Sequence, residues 1–369
     1  MTPTFSLYLD LIRFLAAMAV FLDHLSSHPF TRDIIWRPLS IYATGAVIVF
    51  FVLSGYVISY VSSTREMNAK DYFSARVARL YSVVGVCLML TLIFDHLGIW
   101  LNPGFYSIRK ILWKPESWKG YMSSALFLNE FQVFHFDGIS PGTNGPYWSL
   151  SFEATYYVIA GLVLFFRRSL WIPISIIILA CAGKTIAALL PIWALGFALY
   201  RVRPALRVPP WISLVLAVAS AIAVLESPSI TRHFSGDNFG VRFPWGRGPF
   251  NRRLLDDYFV AVAFATHLVC VRHLLSKPIS IPERIGSGIR WLGSLTFPFY
   301  CFHYPTICLL AAISPWRDTT RSRLFFICIC TIVLVIVTTP LCDWLKTVIR
   351  RSLSRGSVTN NRNRPDRTK

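Results

Sequence analysis

Residues 7–25 read LYLDLIRFLAAMAVFLDHL, an apolar run long enough to cross a bilayer that nevertheless carries Asp10, Arg13, Asp23 and His24. On a helix advancing about 100° per residue, the eleven steps from Arg13 to His24 return the side chain to within roughly 20° of its starting direction. Asp10, Ala17 and Val20 fall on the same side, whereas Asp23 points elsewhere. One face therefore presents Asp10, Arg13 and His24, with Arg13 and His24 separated by about 16 Å of rise. Ionisable groups at membrane depth are costly, so they face a bundle interior or a wet cavity and point to function. The plainer alternative is an Asp10–Arg13 pair that neutralises itself and a His24 resting at the interface.

The rest of the chain agrees with a membrane setting. Of its 369 residues, 54% are hydrophobic and 15% charged, against about 25% charged in a soluble domain, and the mean hydropathy is +0.51. The net charge of +19 would suit a nucleic-acid binder, but the basic residues lie between apolar runs and in the C-terminal segment. An anionic leaflet or an anionic cofactor explains them better, so membrane lipids are expected partners and nucleic acid is not. The first segment has no basic n-region and no small-residue cleavage site, which reads as a retained span. All eight cysteines sit in or beside apolar runs, as small hydrophobes do, with no disulfide framework or zinc site indicated.

Runs of sufficient length recur at 41–61, 80–101, 147–166, 258–275, 289–313 and 324–346, with a further short run at 211–225. Residues 170–200 exceed one span, and Gly183-Lys184 and Pro191 break them into two short spans meeting near Lys184. Tyr121 to Leu128 is too short to cross and reads as an interfacial or re-entrant turn. The expected fold is all-α, a polytopic bundle of about ten transmembrane helices over residues 1–348, followed by a basic tail at 349–369 whose composition predicts disorder. With both termini in the cytoplasm, the inner connectors hold 21 Lys and Arg against 15 outside. This places the chain in an inner or plasma membrane, with His24 near the outer surface and Arg76 and Arg79 inside.

A histidine in a dry bundle acts as a general base if an acid orients it. Asp23 is off the shared face, so Glu153, in Trp148-Ser149-Leu150-Ser151-Phe152-Glu153 at the start of its span, is the expected orienting acid. It reads equally as a hydrogen-bonded structural Glu tying two helices. Arg76 and Arg79, three residues apart, share a helical face and can clamp phosphate, though ordinary positive-inside charge explains the spacing as well. His303 reads as a helix-bridging hydrogen bond. His24 and His28 form an HxxxH pair, but the remaining histidines are scattered without carboxylates at ligand spacing, so no metal site is expected. No nucleophile elbow or phosphate-binding glycine loop is present.

Several motifs, in order, resemble the acyltransferase-3 family of integral-membrane O-acyltransferases. They are Leu9-Asp10-Leu11-Ile12-Arg13-Phe14 with His24, Phe50-Phe51-Val52-Leu53-Ser54-Gly55-Tyr56, Arg76-Val77-Ala78-Arg79, Trp148 to Glu153, and Phe299-Tyr300-Cys301-Phe302-His303. The chain departs from the family pattern at Ser82, Ala154 and the Pro340/Asp343 region, none of which touches the matched Arg or His positions. The resemblance implies transfer of an acyl group, often acetyl, from cytoplasmic acyl-CoA to a hydroxyl of a cell-surface carbohydrate or lipid-linked saccharide, with no permanently bound cofactor. It implies catalytic roles for Arg13, His24 and Glu153, with Asp10 beside them, and CoA-phosphate binding by Arg76 and Arg79. The loop Arg232 to Arg253, with Phe243, Trp245 and Phe250, is a candidate acceptor site, since aromatic rings stack on sugar faces. The competing class is a transporter or flippase, in which the charged face lines a path and nothing is covalently transferred.

Overall fold

A computed structural model describes residues 1–27, 30–31, 34, 43–107, 117–136, 138–202, 206–227, 229–230, 254–277 and 279–355. The loop Arg232 to Arg253 and His28 lie outside the described residues, as does the tail beyond 355. Every regular element among the described residues is helical: α1 Pro3–Ser26, α2 Ala43–Thr64, α3 Ala69–Leu101, α4 Pro103–Ser107, α5 Ser117–Ala125, α6 Trp148–Phe165, α7 Arg168–Ala182, α8 Lys184–Val202, α9 Pro210–Leu225, α10 Leu254–Leu274, α11 Glu283–Ile313 and α12 Arg321–Arg355. Eight of these are long and apolar enough to cross a membrane, and α7 and α9 are shorter apolar helices. The result is a polytopic helical bundle. Large apolar side chains such as Trp100, Trp211 and Val337 are turned outward, as a lipid-facing surface requires.

Local sequence explains the helix ends. Thr2 caps α1 by accepting from the Phe5 amide and ties it to α10 by donating to the Leu275 carbonyl at 2.9 Å. Asn68 caps α3 by accepting from the Asp71 amide at 2.9 Å. The break between α7 and α8 is at Gly183, whose φ of +94° favours a residue without Cβ. Pro191, expected to help break this stretch, lies inside α8 instead. A mid-helix proline lacks the N–H that the carbonyl four residues back, here that of Ala187, would accept, and so weakens that turn. Tyr156 and Tyr258 donate hydroxyls to the Ile186 and Ala188 carbonyls in that turn, at 2.8 and 2.7 Å. Helix α12 also runs on to Arg355, into the stretch expected to be tail.

Packing brings sequence-distant helices together. Helix α1 lies between α2 and α11, and α3 between α11 and α12. Helices α2 and α8 touch backbone to backbone: a Cβ on Gly196 would stand 1.9 Å from the Val52 carbonyl oxygen, and one on Gly55 2.1 Å from that of Trp193. Small residues at such crossings replace the hydrophobic drive that helices lack in lipid. The described part of the polar segment before α6 is fastened to α3 and α11. Within it, Thr143 donates its amide and hydroxyl to the buried Asp95 carboxylate at 2.8 and 2.7 Å, and Asn144 donates to the Cys301 carbonyl at 3.0 Å.

Candidate active site

The face of α1 forecast from helical periodicity points into the bundle, but its members serve two separate places. At the first, Arg13 pairs with Asp10 at 3.6 Å. The absence of a side chain on Gly293 lets α11 come close, since a Cβ there would meet the Asp10 Cβ at 2.8 Å. Arg13 then faces a cavity of about 220 Å³ lined also by Ser54 of α2, Arg79 of α3, Glu153 of α6, and Asp343 and Lys346 of α12. Glu153 accepts a hydrogen bond from Tyr157, and Ser54 Oγ lies 3.3 Å from the same carboxylate. Trp193 in turn donates its indole N–H to Ser54 at 3.2 Å. Glu153 shares the cavity with Arg13 and Arg79 and is close enough to act electrostatically on both.

Arg76 and Arg79 part company in the tertiary structure. Arg79 lines the cavity, its guanidinium 5.9 Å from the centre of the Phe297 ring. Arg76 is buried, forms an ion pair with the buried Glu66, and lies 5.2 and 5.6 Å from the ring centres of Tyr72 and Tyr157. Glu66 belongs to the connector between α2 and α3. Burial pushes its carboxyl above the usual carboxylate range, and the Arg76 guanidinium pulls it back. The helical spacing that suggested a common clamp is real, but the Arg76 charge is already paired with Glu66, although its Nε is buried without a hydrogen-bond partner among the described residues.

The second place lies about 16 Å farther along α1. There the His24 ring stacks on His303 of α11, with centroids 5.3 Å apart and planes 27° from parallel, and Tyr304 meets it edge-on at 5.1 Å. The acid beside His24 is Asp23, with Nδ1 to Oδ2 at 3.5 Å. This corrects the expectation that Glu153 orients His24, because Glu153 lies at the Arg13 level. A 100° offset between neighbours on the last turn of α1 did not keep Asp23 from its partner.

His303 also departs from expectation. Its Nδ1 bonds within its own helix, 2.7 Å from the Tyr300 carbonyl, rather than bridging to another. A carbonyl only accepts, so Nδ1 carries the hydrogen and Nε2 presents a lone pair. That Nε2 is buried with no hydrogen-bond partner among the described residues. Such an atom costs about 1–3 kcal/mol of desolvation, so its retention asks for a reason.

The two places are neighbours along α11. The cavity extends along α11 from Gly293 to Tyr300, whose hydroxyl is 2.7 Å from that of Ser149. This is about 10 Å of helix rise. The Tyr300 and His303 rings are neighbours, with centroids 6.0 Å apart. The cavity therefore ends within one helical turn of the imidazole pair. Directly between Arg13 and His24, by contrast, the α1 face is filled by the buried Ala17 and Val20, and Phe21 packs on Phe299 at 5.1 Å.

Residues 6–340 match the model of the acyltransferase-3 family, described as an acyltransferase domain. The chain belongs to the acyltransferase-3 family. It is an acyltransferase of the membrane, and the transporter alternative gives way with that membership. No curated protein and no solved structure matches the chain. Every expected site residue of this acyltransferase falls within the matched region, while Asp343 and Lys346 lie beyond it. Lys346 escaped the sequence because a lysine near a span end looks like any juxtamembrane charge. Among the described residues, no group of three or more His, Cys, Asp or Glu side chains is placed to hold a metal ion.

Proposed function

We propose that this acyltransferase moves an acyl group, acetyl being the simplest case, from acyl-CoA to a hydroxyl of a cell-surface or lipid-linked saccharide. The observation that carries this is a cavity lined by cationic side chains at one end that closes within one turn of a stacked imidazole pair at the other. Such a cavity suits a long donor with a phosphorylated end and a reactive far end. By the balance of Lys and Arg between connectors, its cationic end belongs on the cytoplasmic side, where acyl-CoA is found, and both termini lie there too. The membrane is then an inner or plasma membrane.

In this scheme His24, with Asp23 beside Nδ1, takes the proton of the acceptor hydroxyl. The oxygen attacks the thioester carbonyl, the C–S bond breaks, and the imidazolium returns the proton to the departing thiolate. Arg13 is too far from His24 to polarise that carbonyl and instead holds the donor's arm. His303 offers Nε2 as an acceptor to the incoming polyol, which explains why that atom is left bare.

The function is tested with purified protein in lipid nanodiscs, acetyl-CoA labelled in the acetyl group, and membranes of the source cells as acceptor. Label is expected in saccharide, with one CoA thiol released per group transferred. If no CoA is released and surface glycans are unchanged by mass spectrometry when the protein is removed from cells, the proposal fails.

His303→Phe separates packing from chemistry. The ring remains, the bare nitrogen goes, and stability is expected to hold or rise by about 1 kcal/mol. Transfer is expected to fall roughly tenfold, the scale of one lost hydrogen bond to substrate. Unfolding and transfer measured on the same preparation check both, and unchanged transfer would remove His303 from the scheme.

A further inference from the structure

Two of the cations lining the cavity feel acids only at a distance, Glu153 at Arg79 and Asp343 at Lys346. Arg13 has Asp10 and Arg76 has Glu66, but neither Arg79 nor Lys346 forms an ion pair among the described residues. Lys346 is surrounded by like charge. Arg76, Arg79 and Arg350 all act on it, and Asp343 is the acid that opposes them. Arg350 follows Lys346 by four residues on α12 and so shares its face, one turn farther from the cavity. Lys346 lines the cavity and is exposed rather than buried. Like charges held together raise the free energy of the empty site and favour an anion that bridges them.

We propose that Lys346 of α12 and Arg79 of α3 form the phosphate-binding pair at the cavity mouth, with Arg350 beyond them and Arg76 taking no part. The inference rests on acyl-CoA as donor and names the residues that grip its phosphorylated end. A guanidinium presents a planar fork and an ammonium a point charge, and the two together embrace a phosphoryl group from different helices. Because α3 and α12 pack together, the pair is held before the ligand arrives. Phosphoryl oxygen could also come from the headgroup of an anionic phospholipid, since Lys346 stands near a helix end.

Binding of CoA to the full-length protein in phosphatidylcholine nanodiscs distinguishes these, with pantetheine as the phosphate-free control. Lys346→Gln is expected to weaken CoA at least tenfold and leave pantetheine unchanged, and Lys346→Arg to restore most of the loss. If Lys346→Gln binds CoA like the parent, the inference is overturned. A selective loss of thermal stabilisation by phosphatidylglycerol in that variant would then assign the site to lipid. An equal loss for CoA and pantetheine also overturns it, since the effect would be structural. If the parent protein itself does not bind CoA, the donor falls and this inference with it.

Discussion

His24→Ala is expected to abolish acyl transfer, by about 10²–10⁴-fold, while the protein inserts and unfolds as before. The magnitude is that of removing a positioned general base. The ring of His24 packs on His303 and Tyr304 at the end of α1, and a smaller side chain there leaves the Arg13 cavity intact. CoA affinity is therefore expected to stay within about threefold of the parent, well under 1.4 kcal/mol. Asp23→Asn is expected to lower transfer less, because it weakens orientation of the base without removing it. Arg13→Ala is expected to act differently, raising the KM for donor more than it lowers kcat, since Arg13 lies with Arg79 and Lys346 rather than at the imidazole pair. Steady-state kinetics on the three variants read this division directly. Should His24→Ala retain transfer, the base is elsewhere; should it lose CoA binding, the two ends of the cavity are not independent.

The second large effect falls on stability. Glu66→Ala strands the Arg76 guanidinium in a buried site, and Arg76→Ala strands the Glu66 carboxylate. Either is expected to cost about 3–5 kcal/mol, the scale for breaking one side of a buried pair. Replacing both by apolar residues of similar volume, Glu66→Leu with Arg76→Met, removes the uncompensated charge and is expected to recover most of the loss. Denaturant unfolding in detergent checks the sizes. CoA affinity of the double variant gives the functional half of the test. It should match the parent if Arg76 is a strut between the α2–α3 connector and α6, and fall with the charge if Arg76 is itself a phosphate ligand. Loss of activity in Arg76→Ala alone separates nothing, because an unstable helix α3 would also misplace Arg79.

Much of the architecture was open to one-dimensional reading. Apolar run lengths placed the spans, Gly183 ended α7 where a break was expected, and the 3.6-residue period put Asp10, Arg13 and His24 on one inward face. The resemblance to the family rested on short motifs and was matched over residues 6–340. Where the sequence misled, it did so over partners. It gave no sign of Glu66 beside Arg76, sent Glu153 rather than Asp23 to His24, and read His303 as a bridge between helices.

The reason is physical. Hydropathy and helical period are properties of a segment and its immediate neighbours, so they determine that a helix spans and which side of it is polar. Which side chains meet depends on how far each helix slides along the next, and that is set by contacts between residues hundreds of positions apart. Gly293 against Asp10 fixes the depth of α11 on α1 and thereby stacks His303 on His24. The pairing of α3 with α12 brings Lys346, beyond the family match, to Arg79. The sequence by itself determined a membrane bundle with an expensive charged face; the tertiary structure alone decided that this face divides between a cavity at Arg13 and an imidazole pair at His24.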